Sequence, residues 1–267
     1  MVDPALQREL WDTANRLADV AGKICLPLFR SPVLNTDNKD ADGYDPVTQA
    51  DRNAEKAMRA VLAELRPDDA ILGEEYGAKP GTSGLTWVLD PVDGTRAFIS
   101  GAPTWGILIG VDAGDGPVMG VVDQPFTGER FIGGFGRAEV LRAGKTTPLA
   151  VRRCSGLNNA ILYTTFPEIG TPQERARFES VRDQVRLTRY GFDCYGYALV
   201  AMGQVDLVIE AGLNAYDIQG PQAVIEAAGG VVTNWEGGPC HDGGRVIAAG
   251  DPDIHAAALE LMNSGEA

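Results

Sequence analysis

The hydrophobic positions follow two different periods along the chain. Leu6, Leu10, Ala14, Leu17, Ala21, Ile24 and Leu28 recur at three- or four-residue steps behind Asp3-Pro4, a suitable cap and first helical position. A first helix is therefore predicted to end just before Arg30-Ser31-Pro32. A second follows Asp45-Pro46-Val47-Thr48, with Ala54, Ala57, Met58, Val61, Leu62 and Leu65 on one face and Arg66-Pro67 at its end. Between them, residues 35–44 are polar and rich in Asp, with Lys39 among the acids, which predicts a loop able to close over a site. After the second helix the period shortens. Ala70-Ile71-Leu72-Gly73 reads as a buried strand ending at Glu74-Glu75, and Trp87-Val88-Leu89 as another, stopped by Asp90-Pro91. A short helix is expected from Thr95 through Ile99. Stretches 105–111, 117–123, 129–135 and one near Val140 are separated by Gly, Asp and Pro turns at hairpin spacing, the mark of antiparallel sheet.

Beyond residue 150 strands and helices alternate: strands at 160–163, 186–190, 205–210, 231–233 and 246–249, and helices at 173–184, 195–202, 218–228 and 253–262. The pattern predicts an α+β half, 1–150, and an α/β half, 151–267, so an α/β protein in the broad sense. With no internal repeat and no low-complexity linker, the halves are expected to pack as one unit.

Composition narrows the chemistry. At 267 residues and 44% hydrophobic, the chain can bury a large core. A formal charge of −14 argues against nucleic-acid or anionic-membrane partners. No apolar run approaches the roughly 18 residues that span a bilayer. Asp3 and Glu9 near the N-terminus are unlike a signal peptide, so the cytoplasm is the expected location. Cys25, Cys154, Cys194 and Cys240 are widely spaced and suit small buried thiols better than zinc ligands or disulfides. With only His241 and His255 in the chain, a general base should be a carboxylate or a metal-activated water.

The candidate chemistry gathers at Asp90-Pro91-Val92-Asp93-Gly94-Thr95. Asp90 and Asp93, three apart across a tight turn, can converge on one point, and hard oxygen donors suit Mg²⁺. The amides of Gly94 and Thr95 would lie free at a helix start, where anions bind. Glu74 follows a strand, and Asp217 stands between a strand and a helix, before Gly220-Pro221; in α/β sheets ligands bind at such ends. Taken singly, the turn could be solvated, Glu74 a surface acid and Asp217 a helix cap. Four carboxylates in one cleft repel unless cations neutralise them, which points to two or three Mg²⁺ and hydrolysis of a phosphate ester.

Gly73-Glu74-Glu75, the 90–95 stretch, and Tyr216-Asp217 with Glu226-Ala227-Ala228-Gly229-Gly230 resemble, in order, the motifs of the inositol-monophosphatase-like family of Mg²⁺-dependent, lithium-sensitive phosphatases. The resemblance spans nearly the whole chain. It implies a layered αβαβα sandwich, with metals held by Glu74, Asp90, the Val92 carbonyl, Asp93 and Asp217, and phosphate held by the Gly94 and Thr95 amides. It implies as well an attacking metal-activated water held by Glu74 and Thr95, with Asp45 hydrogen-bonded to Thr95. Lys39 would fall in the metal-and-phosphate loop, and the assembly would be a homodimer inhibited by Li⁺. Gln219 departs from the pattern, standing where a small residue is commoner, and is expected to crowd a neighbouring helix without removing a ligand.

Within that family, residues 93–101 with Pro103-Thr104-Trp105-Gly106, Asp123-Gln124-Pro125 and Gly128-Glu129-Arg130 are similar to histidinol-phosphate phosphatases of histidine biosynthesis. Inositol phosphatases more often carry Asn where Ala97 stands. The leaving group would meet Asp193 and Glu210; the ammonium and imidazole of histidinol suit both acids, whereas inositol hydroxyls would also accept Glu210. The expectation is hydrolysis of L-histidinol phosphate. Inositol 1-phosphate is an alternative, as is a 3′-phosphonucleotide, for which Arg189, Tyr190 and Tyr195 are the only hints. A non-catalytic phosphate- or metal-binding module is a further alternative, opposed by the intact acids and Thr95.

Overall fold

The computed structural model describes residues 3–32, 36–38 and 46–264. In chain order the first part contains α1 (Pro4–Cys25), β1 (Thr36–Asn38), β2 (Pro46–Thr48), α2 (Gln49–Leu65), β3 (Ala70–Gly73), β4 (Gly77–Lys79), β5 (Thr86–Asp93) and α3 (Thr95–Ser100). A meander follows through β6 (Gly106–Asp112), β7 (Pro117–Gln124), β8 (Glu129–Gly134), β9 (Arg137–Arg142) and β10 (Lys145–Pro148). The second part contains β11 (Ile161–Thr164), α4 (Pro172–Arg182), β12 (Leu187–Tyr190), α5 (Asp193–Ala201), β13 (Leu207–Asn214) and α6 (Ala215–Ala227). It closes with β14 (Val231–Thr233), β15 (Gly243–Ala249) and α7 (Pro252–Asn263).

The larger sheet runs β10-β9-β8-β7-β6-β5-β3-β4, antiparallel except where β3 lies parallel to β5. The second runs β12-β11-β13-β15-β14, with β11 parallel to both neighbours and the β15 pairings antiparallel. Side-chain alternation in these strands builds the layers. Ile107, Ile109 and Val111 of β6 join Leu10, Leu17, Met58 and Leu62 of α1 and α2 in one core, while Leu108 turns the other way, toward α5 and α6. In β13, Val208 enters that same middle core, whereas Leu207 and Ile209 pack with Phe178 of α4 and Ile254 of α7. The result is the layered αβαβα sandwich expected, with α5 and α6 between the two sheets.

Several boundaries differ from those expected. α1 stops at Cys25, since Leu26 to Arg30 form a turn in which Arg30 takes φ 59°, outside helical space. Proline does not stop β5 at Asp90. The strand runs on to Asp93, and the register shift against β6 between Asp90 and Asp93 absorbs the missing donor. Asp217 lies within the first turn of α6 rather than ahead of it. The short β4 and β10, at or beside the sheet edges, lack the alternation that would have revealed them. On α2, Leu65 is exposed; its place on the buried face is taken by two acids, Asp51 and Glu55.

Candidate active site

The site is built on the irregular end of β5. Asp90 is buried, and its Oδ1 accepts the amide of Val92 at 3.0 Å, a local bond that fixes the bulge. Gly94 then reverses the chain with φ 77° and ψ 43°, and a Cβ there would stand 2.9 Å from Cγ of Asp193. Both the left-handed conformation and the contact require glycine. Thr95 opens α3, its hydroxyl lying 3.1 Å from the Val92 carbonyl and 3.4 Å from Oδ1 of Asp51.

Three chain segments bring carboxylates to this point. Ligand oxygens of Asp90, Asp93 and Asp217 all lie within 4.8 Å of one another. Glu74 joins them from the turn after β3, which is tied beside β5 by a bond from its amide to the Leu89 carbonyl at 3.1 Å. The electrostatics reflect this crowding. Burial, then the charges of Glu74, Asp93 and Asp217, push the Asp90 carboxyl well above its ordinary range. Burial followed by Asp193 and Asp217 does the same to Asp93. Asp217 is raised to about 7, by burial first and then by Glu74 and Glu210, against the lowering effect of the Asn214 amide. Asp51 is raised to about 6, chiefly by burial, although Thr48 bonds lower it. A divalent cation inverts this logic by favouring the ionised forms. The donor set is all oxygen, with neither imidazole nor thiolate among these acids, and so fits a hard cation such as Mg²⁺.

Above the acids opens a cleft of about 530 Å³. It is lined by Asp93, Gly94, Thr95 and Asp217 at its floor and by Thr165, Phe166, Glu168, Asp193, Tyr197, Glu210 and Gly212 on its wall, Asp193 lying against Gly94. Floor and wall are stitched together by the amide of Cys194, which donates to Oδ2 of Asp93 at 2.7 Å. Asp193, held at φ 46°, accepts the Thr104 hydroxyl at 2.7 Å, and burial raises its pKa. Glu210 is raised to about 6 by burial, opposed by bonds from Thr165 and Tyr197. Arg96 stands over the Phe166 ring at 5.1 Å, the only cationic side chain lining the cleft among the described residues.

Glu74, Asp90, Val92, Asp93, Gly94, Thr95, Asp193, Glu210 and Asp217 thus gather in one place. Asp45 and Lys39 lie outside the described residues, as does most of the acidic loop. The carboxylate seen on Thr95 is that of Asp51, which sequence reasoning missed. Its signal was present: Asp51 follows the cap Thr48 by three, a capping-box spacing, and with Glu55 it is an acid on a stripe otherwise made of Ala50, Ala54, Met58, Val61 and Leu62. Gln219 meets β6 at Gly110 rather than crowding a helix, and its amide donates to Asp112 at 2.9 Å and to the His241 carbonyl at 3.2 Å. Arg189, Tyr190 and Tyr195 do not line the cleft; the Tyr195 hydroxyl is taken by Glu129 at 2.8 Å. No helix among the described residues is long and apolar enough to cross a membrane.

Known proteins agree with this geometry. The model of the inositol monophosphatase family matches residues 6–266. The chain is 42% identical over 259 residues to the bifunctional phosphatase IMPL2, chloroplastic, of Arabidopsis thaliana, covering 93% of this chain and 73% of that protein. It is 33% identical over 253 residues to the histidinol-phosphatase of Mycobacterium tuberculosis, covering 93% and 96%. Among solved structures, an inositol monophosphatase from Zymomonas mobilis superposes with a TM-score of 0.85 at 39% identity, over 98% of this chain and 99% of that one. The chain belongs to the inositol monophosphatase family of phosphatases.

Proposed function

We propose that the cleft hydrolyses L-histidinol phosphate to L-histidinol and phosphate, with Mg²⁺ as cofactor and a place in histidine biosynthesis. The observation that carries the reading is the juxtaposition of clustered carboxylates beneath the cleft with further acids, Asp193 and Glu210, on its wall. Glu74, Asp90, the Val92 carbonyl, Asp93 and Asp217 would hold two or three Mg²⁺. Bound there, the ions lower the pKa of water and neutralise charge on the phosphoryl oxygens. The chain itself does the rest. Amides of Gly94 and Thr95 take phosphate oxygens. The Thr95 hydroxyl donates a hydrogen bond to the Val92 carbonyl or to Asp51, which leaves its lone pairs to accept from the attacking water and fix that water's direction. Asp51, buried and in reach of the Thr95 hydroxyl, is placed to receive a proton as attack proceeds.

On the far wall, Asp193 and Glu210 would meet the ammonium and imidazole of the leaving group, with Glu168 adding negative charge at the mouth. Residues 1–150 would thereby supply most of the metal and phosphate site, and residues 151–267 Asp217 and the leaving-group wall. Inhibition by Li⁺, a homodimer and a cytoplasmic location belong to the same proposal. A second substrate, inositol 1-phosphate, is favoured by a specific feature: both wall acids already accept protein hydrogen bonds, which suits hydroxyl groups. The similarity to the Zymomonas mobilis inositol monophosphatase supports it equally. The deciding experiment is kcat/KM for both esters with Mg²⁺ under identical conditions. A hundredfold preference for histidinol phosphate, about 2.7 kcal/mol of transition-state discrimination, is expected; parity or the reverse order would retract it.

A further inference from the structure

Glu74 is presented by the turn after β3, and that turn is gripped by a second acid. Glu55 is fully buried on α2, one helical turn beyond Asp51 and on the same face. Its Oε2 accepts the backbone N–H of Glu75 at 2.7 Å, and its Oε1 that of Tyr76 at 3.2 Å. Arg59 donates to Oε1 from Nε at 2.7 Å and reaches the Gly77 carbonyl with a terminal nitrogen. On the other side of Glu74, a Cβ at Gly73 would fall 2.0 Å from Glu55 Oε1, so the carboxylate can lie under the turn only because residue 73 has none.

Nothing in the packing of α2 calls for this acid. Its neighbours on the buried stripe are Ala54, Met58 and Leu62, and a buried carboxylate is costly even when paired. Two acids four residues apart also repel. Such a cost is understandable where the acid holds something else in place.

We propose that Glu55, neutralised by Arg59, is the positioning residue for Glu74: it holds the backbone that follows Glu74, lying beneath the Cβ-less Gly73, and so delivers the Glu74 carboxylate to the metal site. This rests on Glu74 being a Mg²⁺ ligand. α2 then acts as a ruler between two parts of the site, with Asp51 holding the Thr95 hydroxyl and Glu55 holding the Glu74 turn.

The test is calorimetric titration of Mg²⁺ into the metal-free wild type, Glu55→Gln and Glu74→Gln, alongside melting temperatures without Mg²⁺ and kcat at saturating Mg²⁺. Glu55→Gln is expected to bind Mg²⁺ roughly 10- to 100-fold more weakly, as for lost outer-shell partners of metal ligands, while kcat recovers when Mg²⁺ saturates. Glu74→Gln should lose affinity at least as far and not recover. A Glu55→Gln protein that melts lower but binds Mg²⁺ as wild type, beside an impaired Glu74→Gln, overturns the positioning role. Unchanged affinity in both variants overturns the reading of Glu74 as a ligand, and the proposal with it. Should Glu55→Gln fail to fold, Gly73→Ala replaces it, since the methyl displaces the carboxylate while leaving every hydrogen-bonding group present; the same outcomes then decide.

Discussion

The floor of the cleft and its far wall hold similar numbers of acids but treat them differently. At the floor, Asp90, Asp93 and Asp217 converge within 4.8 Å, and the charges of neighbouring acids, Glu74 and the wall acids Asp193 and Glu210 among them, add to burial in raising their pKa values. On the wall, Glu210 accepts bonds from the Thr165 amide and hydroxyl and from the Tyr197 hydroxyl, and Asp193 accepts the Thr104 hydroxyl. The floor acids each accept a backbone amide too, Asp90 from Val92, Asp93 from Cys194 and Asp217 from Asn214, but their converging oxygens still suit a cation, whereas the wall acids are held further by hydroxyl groups. A reaction class therefore follows from the floor, because few chemistries need such a cluster. Substrate choice depends on individual contacts at the wall, whose worth varies with how fully each is buried and paired.

The contrast predicts its largest effect at Asp93. Asp93→Asn removes a charge from the floor but keeps an oxygen that can accept the Cys194 amide, so the link between the two sides of the cleft survives. Turnover is expected to fall by roughly three orders of magnitude, about 4 kcal/mol of transition-state stabilisation, with circular dichroism and melting temperature near wild type. Measured kcat/KM close to normal would remove Asp93 from the site.

What the sequence revealed and what it hid follow the same division. Floor residues were legible because their roles are local: Asp-Pro-Val-Asp-Gly-Thr places two carboxylates, a left-handed glycine and a helix start within six positions, and the chain can be read there without knowing its partners. The layers were legible only through the family resemblance, since β6 is apolar on both faces and only the structure assigns its alternate side chains to two cores. Asp51 was hidden by its own helix. Its partner Thr95 is 44 residues away, and an acid at the start of a helix reads first as a cap. Wall contacts were hidden for a related reason: the bond between Thr104 and Asp193 spans 89 positions, and no local pattern carries it. The continuation of β5 through Pro91 was hidden because a bulge can accommodate a proline that a regular ladder cannot.

A smaller effect at Asp193 would sharpen the wall's side of the comparison. Alanine is a poor probe, as it would release the Thr104 hydroxyl and vacate the space against Gly94. Asp193→Asn keeps the shape and an acceptor for Thr104, and removes only the charge. If the leaving group is cationic, kcat/KM for histidinol phosphate should drop roughly tenfold, about 1.4 kcal/mol, while that for inositol 1-phosphate moves less than about twofold. Equal losses would assign Asp193 to support of the Gly94 turn and not to recognition.

The smallest effect lies in stability and separates floor from wall by pH. Glu210 titrates at about 6 in the folded protein against an ordinary 4.5, and Asp217 at about 7 against 3.8. In each case the folded state holds its proton where the unfolded chain has released it. Stability of the metal-free protein is therefore full below the ordinary values and is lost as pH rises through about 6 to 7. Glu210 alone accounts for about 2 kcal/mol, or roughly 4–8 °C in melting temperature for a chain of this size. Mg²⁺ should reverse the trend only at the floor, because it binds ionised carboxylates and stabilises the folded state more at pH 8 than at pH 5. Scanning calorimetry from pH 4.5 to 8, with a chelator or with excess Mg²⁺, reads both terms. Glu210→Gln should reduce the metal-free slope, leaving the larger part due to Asp217, and keep most of the Mg²⁺-dependent gain, since Glu210 acts on the metal site only through its charge on Asp217. A metal-free melting temperature that climbs from pH 5 to 8 would mean that the floor acids are neutralised by the protein itself, and the distinction between floor and wall would disappear.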